Sequence, residues 1–139
     1  MQRYPEAFIG PMREELTKIG FEEWRSPDLV EDAVTRPGTT LLVVNSMCGC
    51  AAGKARPGIA LALAKGTRPD HLGTVFAGAD LEATEAARRH FAPYLPSSPS
   101  VALLKDGQLV WMLERRDIES QPADAIARKL TAAFEQYCL

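Results

Sequence analysis

Eight consecutive residues, TTLLVVNS at 39-46, are β-branched or apolar nearly throughout and show no alternation of polar with apolar positions. A run of this kind suits a strand buried on both faces of a sheet. It is read as the centre of the sheet. The elements around it alternate. Ile9, Met12, Leu16 and Ile19 recur at helical spacing until Gly20 stops the pattern, which predicts a helix from Glu6 to Ile19 interrupted at Pro11. FEEWR at 21-25 is a short strand, and Ser26 ahead of Pro27 and Asp28 caps a second helix that closes at Pro37-Gly38.

Beyond the central run, AAGKARPGIALALAKG predicts a helix ended by Gly66 and bent at Pro57. GTVFAG at 73-78 is a further strand, Asp80 the cap of the helix LEATEAARRHFA, and PSVALLKDGQLVWML two strands joined at Asp106-Gly107. A last helix from about Gln121 to Tyr137 gathers Ala123, Ile126, Leu130, Phe134 and Tyr137 on one face. Trp24 and Trp111 read as core or edge packing. Strands alternating with helices and closing on a hairpin and a helix predict an α/β sandwich around a central mixed sheet.

With 139 residues, 46% of them hydrophobic, the chain is expected to be one domain over 1-139 that buries its core without disulfide staples. The 16 basic and 18 acidic residues leave a net charge of -2 with no run of like sign, so no nucleic-acid partner is expected. No charged segment followed by a continuous apolar stretch opens the chain, and no window approaches the roughly 20 apolar residues of a membrane span. The expectation is a cytosolic protein without a membrane partner.

At the end of the apolar run stand Cys48, Gly49 and Cys50. Two close cysteines in a reducing compartment point to catalysis, redox sensing or metal binding before structure. Residues two apart on a pleated strand have Cα atoms about 6.5 to 7 Å apart, beyond the roughly 5.5 to 6 Å of a disulfide, so bridging needs a bend. Gly49, without a Cβ, is read as the residue that permits it. The pair lies where strand becomes helix, and the free N–H groups and positive dipole end there favour a thiolate. A bridge over a single residue is also strained and easily reduced. Together these describe a reactive dithiol, one sulfur attacking and the other resolving. Four other readings stay open: a structural disulfide, two inert thiols packed as small hydrophobes, a cysteine hydrolase using His71 or His90 as base, and a metal or iron-sulfur module. For a metal, Cys138, His71 and His90 are the remaining ligands and none is spaced to another, which leaves a site shared between two copies. Asn45 and Ser46 either donate to sulfur or cap the next helix, capping being favoured. Cys138 reads as a spare thiol on a fraying tail.

PMREELTKIGFEEWRSP, TTLLVVNSMCGCAAGKARPG, PSSPSVALLKDGQLV and the closing AAFEQYC together resemble the bacilliredoxin family over nearly the whole chain. The resemblance implies a thioredoxin-like three-layer sandwich, its central mixed β-sheet flanked by helices. It also implies a thiol-disulfide oxidoreductase with a Cys-Gly-Cys active site that removes bacillithiol from S-thiolated cytosolic proteins. No resident cofactor is implied; bacillithiol, or another low-molecular-weight thiol such as coenzyme A or cysteine, is the co-substrate. SPSVALLKDGQLV is similar to the thioredoxin segment in which a cis-proline opens a strand, which makes Pro99 that proline, opposite the cysteines. The Pro57 bend resembles the proline kink of the active-site helix in the same fold. One residue between the cysteines, instead of two, favours mixed-disulfide chemistry over electron transfer from thioredoxin reductase. By this match Cys48 attacks, Cys50 resolves, and Gly49 and Pro99 bind substrate. Lys54 and Arg56 then become candidates for holding the carboxylates of bacillithiol's malate or for lowering the Cys48 pKa, against the plain alternative of a solvated helix face.

Overall fold

Strand β2 (Thr39–Asn45) is buried at every residue, and in the computed structural model, which describes residues 4–138, it is the middle of a five-stranded sheet. The opening residues 1–3 read above lie outside this range. β2 has β3 (His71–Phe76) parallel on one side and β4 (Ser100–Lys105) antiparallel on the other. The short β1 (Glu22–Glu23) and β5 (Gln108–Leu113) complete the order β1-β3-β2-β4-β5. The expected mixed sheet and its centre are both present.

Alternate residues of β2 serve two cores. Leu41 and Val43 face helices α1 (Glu6–Thr17), α3 (Arg56–Leu63) and α6 (Ala123–Tyr137), packing with Leu16, Ile59 and Phe134. Leu42 and Val44 face α2 (Pro27–Val34) and α4 (Leu81–Arg88), packing with Val30, Val34 and Ala87. An unalternating sequence therefore marks a strand with a helical layer on each side. No helix among the described residues is long and apolar enough to cross a membrane.

Local chemistry accounts for most boundaries. The hairpin turns on Asp106 and Gly107, both at positive φ (51° and 82°), the conformation a two-residue turn needs to match strand twist. Ser26 accepts from the Leu29 amide as N-cap of α2, with Pro27 in the first turn. The bend expected at Pro57 takes the form of a π-helical segment, Ala51–Ala55, in which the Arg56 amide reaches back to the Ala51 carbonyl.

Three expectations are corrected and one helix is added. β3 begins at His71, two residues before the anticipated start, because His71 and Leu72 already pair with Thr40 and Leu41 of β2; Gly73, paired to Glu22, lies beneath the indole of Trp24. A Cβ on Gly73 would sit 2.0 Å from that ring, so the close approach requires glycine and seals Trp24 into the core. Trp111, packed against the core on the outer strand β5, is the edge packing expected. Asp80 does not cap α4 with its side chain. Its carboxylate instead grips the buried Arg13 guanidinium at 2.8 and 3.0 Å and accepts from the Phe76 amide, tying α1 to the end of β3. A short helix that the sequence reading omits, α5 (Arg115–Glu119), is framed by reciprocal Glu114 and Asp117 capping bonds. Finally, Cys138 is not on a loose tail: its amide bonds to the Phe134 carbonyl at 2.8 Å and it packs against the core.

Candidate active site

Strand register brings three loops together. Val44 pairs with Ser100 and Asn45 with Phe76. The turn after β2, the Ala77-Gly78 loop after β3 and the Ser98-Pro99 approach to β4 consequently meet at the carboxyl end of β2, where open α/β sheets place their sites. The Ser98–Pro99 peptide is cis, matching the thioredoxin-like segment. Ala92–Pro93 is cis as well, which nothing in the sequence reading anticipated. Pro99 is buried and Gly49 exposed.

The turn is tethered from below. The Asn45 side chain donates to the Met12 carbonyl at 3.2 Å and accepts from the Ser46 amide at 2.9 Å, so it holds backbone and makes no bond to sulfur. Arg56, 3% exposed, donates from Nη1 to Asn45 Oδ1 at 2.9 Å and to the Ser46 carbonyl at 2.8 Å, while its Nε meets Glu15 at 3.0 Å. It is neither a solvated helix face nor a group available to a ligand; it is the strut that sets the turn. Lys54 donates to the Glu119 main-chain carbonyl. Both candidates for holding a small thiol's carboxylates are already committed.

Above this strut the Cys48 thiol stands at the start of a helix. The helix begins at Gly49, the Ala51 and Ala52 amides donate to the Cys48 carbonyl at 3.1 and 3.2 Å, and the amides of Cys50 and Ala51 lie on the side that favours its thiolate. Ser46 Oγ donates to Cys48 Sγ at 3.2 Å and accepts from the Cys48 amide at 3.3 Å. Partial burial raises the thiol pKa, but the Ser46 hydroxyl, the two amides and the Cys50 thiol outweigh it, and Cys48 lies below the ordinary cysteine value. Cys50 packs against the core that contains Ile59 while its thiol stays close enough to the Cys48 sulfur to favour its charge.

Gly49 has a different role from the one expected. It is helical, without positive φ, and a Cβ there would meet nothing within 4 Å. Helix geometry alone brings residues two apart to about 5.4 Å between Cα atoms. The bend that draws the cysteines together is therefore helix initiation, and glycine adds an unobstructed approach to the sulfurs.

The hydrogen bonds to Cys48 carry a testable consequence. The rate of Cys48 alkylation by iodoacetamide follows the thiolate fraction, so its midpoint is expected below the free-cysteine pKa of about 8.5. Ser46→Ala removes a donor that prefers the thiolate and should raise that midpoint by roughly one unit, slowing alkylation at pH 7. An unchanged midpoint would show that the hydroxyl does not stabilise the charged sulfur.

Two arginines absent from the sequence reading complete the surroundings. Cys48 lines a cavity of about 360 Å³ together with Arg88, from the end of α4, and Arg115, from the start of α5. Arg115 donates to the Ser98 carbonyl at 3.2 Å. It is held toward its charged form first by Glu119 and then by Cys48 and Cys50, which places both sulfurs within its field. No short-range pattern marks either residue, because strand register and loop packing bring them here.

The remaining candidates lie elsewhere. His71 contacts the Pro37 carbonyl at 3.1 Å and His90 contacts Glu31 at 3.0 Å, so neither serves Cys48 as a base. Cys138 lies beside Thr39, and burial pushes its thiol pKa up. Thr39 is six residues before Asn45, about 20 Å along the strand at 3.3 Å per residue. Among the described residues no three His, Cys, Asp or Glu side chains gather into a set able to hold a metal ion.

Comparison with known proteins agrees in two ways. A family model described as disulphide isomerase matches residues 4–138. A bacilliredoxin of Koribacter versatilis is 57% identical over 136 residues, 97% of this chain and 94% of the relative. A bacilliredoxin of Cytophaga hutchinsonii is 49% identical over 133 residues, 96% of this chain and 98% of the relative. Among solved structures, thioredoxin from Aeropyrum pernix superposes with a TM-score of 0.56 at 19% identity, over 81% of this chain and 84% of the other. Thioredoxin from Malassezia sympodialis does so with a TM-score of 0.57 at 16% identity, over 86% and 92%. At those identities the likeness establishes the thioredoxin fold.

Proposed function

The chain belongs to the bacilliredoxin family, a family of thiol-disulfide oxidoreductases, and from that premise we propose that it removes bacillithiol from mixed disulfides on S-thiolated cytosolic proteins, with Cys48 attacking and Cys50 resolving. The Cys48 thiolate displaces the protein sulfur, forming a disulfide between Cys48 and the small thiol; the released protein thiolate takes up a proton. Cys50, deprotonated, then attacks Cys48, releasing the small thiol and leaving a Cys48–Cys50 disulfide. Two further thiol equivalents reduce that bridge and leave as a disulfide of their own, which balances the two electrons.

The observation that carries this reading is the place of Cys48: at the start of a helix and lining a cavity, its sulfur bonded by the Ser46 hydroxyl and its thiol pKa lowered, while Cys50 packs against the core. Pro99 and Gly49 have substrate-binding parts in the same reading. The loop at Pro99 offers backbone with which an incoming extended chain pairs briefly, and Gly49 leaves the approach open. The test is a model protein carrying bacillithiol on one cysteine, incubated with this protein and followed by intact mass. Loss of the bacillithiol mass from the substrate, with the same mass passing through Cys48, is the expected result. A cap that stays in place over the uncatalysed control would overturn the proposal.

A further inference from the structure

Arg88 is the unspent charge at this site. Its Nε is shut off from solvent without any hydrogen-bond partner, and its Nη2 has only a long 3.3 Å bond to the Ser97 carbonyl. Burial lowers its pKa with no carboxylate to offset it. Among the described residues the two fully buried arginines are matched by carboxylates, Arg13 by Asp80, Glu6 and Glu23 and Arg56 by Glu15, whereas the half-buried Arg88 is not. A half-buried guanidinium with no carboxylate partner keeps a forked donor face that a bound carboxylate would engage in a charge-assisted pair. Arg88 lines the same cavity as the Cys48 sulfur, with Arg115 on its rim.

We infer that Arg88, assisted by Arg115, is the specificity-determining clamp for a carboxylate on the small thiol that is transferred to Cys48. The inference rests on the reading of Cys48 as the attacking sulfur. It gives the carboxylate-holding part to Arg88 in place of Lys54, which bonds the Glu119 carbonyl, and Arg56, which is buried and bonds Glu15, Asn45 and Ser46. A terminal carboxylate on a compact molecule fits better than a side chain of the protein substrate, because Arg88 and Cys48 line one cavity of about 360 Å³, which leaves room for a small acidic molecule beside the sulfur. The clamp therefore distinguishes acidic small thiols from neutral ones.

The experiment compares two alkylating agents at Cys48, iodoacetate and its neutral counterpart iodoacetamide, with tryptic mapping of the adduct. Their rate ratio cancels the thiolate fraction and reports attraction for a carboxylate beside the sulfur. Arg88→Met should lower the ratio by roughly tenfold, the order expected of one charge-assisted pair. Arg88→Gln keeps a donor for the Ser97 carbonyl while removing the charge, so it should fall equally; Arg88→Lys should fall less. A ratio unchanged in Arg88→Met and Arg88→Gln overturns the clamp, since a purely structural arginine would alter both rates alike.

A second arm uses one model peptide capped either with bacillithiol or with 2-mercaptoethanol. The preference for the acidic cap should collapse in Arg88→Met. Should the loss appear instead on a neutral cap flanked by acidic peptide residues, the assignment to the small thiol is overturned. If no cap of any kind is removed by the unaltered protein, the proposed function fails, while the alkylation ratio still decides the clamp.

Discussion

Cys50→Ala is expected to accumulate a stable disulfide between Cys48 and the small thiol, while Cys48→Ala accumulates none and loses de-thiolation by at least about 10³-fold, the scale on which a nucleophile's removal is felt. The asymmetry follows from where each sulfur sits. Cys48 lines the cavity, accepts from the Ser46 hydroxyl, and has its thiol pKa lowered by that bond and by the neighbouring amides. Cys50 lies in the first turn of the helix, packs against the core that contains Ile59, and is not among the residues lining that cavity. Cys138→Ser should leave both outcomes unchanged, because Cys138 is held beside Thr39 at the far end of β2. Non-reducing mass spectrometry with tryptic mapping reads all three variants. Adducts on Cys50 in Cys48→Ala, with none on Cys48 in Cys50→Ala, would reverse the roles. Adducts on neither, with metal bound to the purified protein, would replace the redox reading altogether.

The features readable from the chain in advance are those set by chemistry between near neighbours. The unbroken apolar run of β2, the Asp106-Gly107 turn, the Ser26-Pro27 helix start and the cysteines at a strand end each depend on a few adjacent residues. Their physical consequences hold wherever the rest of the chain goes. The sandwich follows from the same signals, since a strand apolar on both faces demands a layer on each.

Longer-range partners escape this kind of reading. Asp80 looks like a helix cap because it precedes LEATEAARR, yet its carboxylate is taken by Arg13, 67 positions away. Arg56 looks like a solvated helix residue because its neighbours are small, yet the π-helical segment and α1 enclose it. Arg88 and Arg115 reach the cavity only because β4 pairs with β2 in a register that brings Ser97 and Ser98 alongside the cysteine turn. Gly49 shows the converse error: glycine between cysteines suggests an unusual φ, whereas the helix supplies the bend and the residue is there for open space.

Arg56→Met should cost both stability and reactivity, and the two losses share one cause. The substitution keeps an apolar stem of similar length but leaves the Asn45 amide oxygen and the Ser46 carbonyl, both in buried residues, without their guanidinium. Asn45 Oδ1 keeps the Ser46 amide, so one orphaned acceptor at about 1 to 3 kcal/mol and one lost hydrogen bond at about 1 kcal/mol predict a loss of roughly 2 to 4 kcal/mol. The loss stays below that of a fully buried ion pair because the Glu15 side chain, 40% exposed, regains water when its partner goes. Arg56→Lys restores the charge but not the fork, so it should recover only part of the stability. Urea unfolding measures this. The same strut fixes Ser46, whose hydroxyl bonds the Cys48 sulfur, so alkylation of Cys48 at pH 7 should slow in Arg56→Met and its pH midpoint should rise. If both effects run through Ser46, then Arg56→Met combined with Ser46→Ala raises the midpoint by less than the sum of the two single changes, since the hydroxyl can be lost only once. Full additivity would mean that Arg56 acts on Cys48 by its own field. A stability loss with no change in the midpoint would confine Arg56 to the fold and detach it from the thiol.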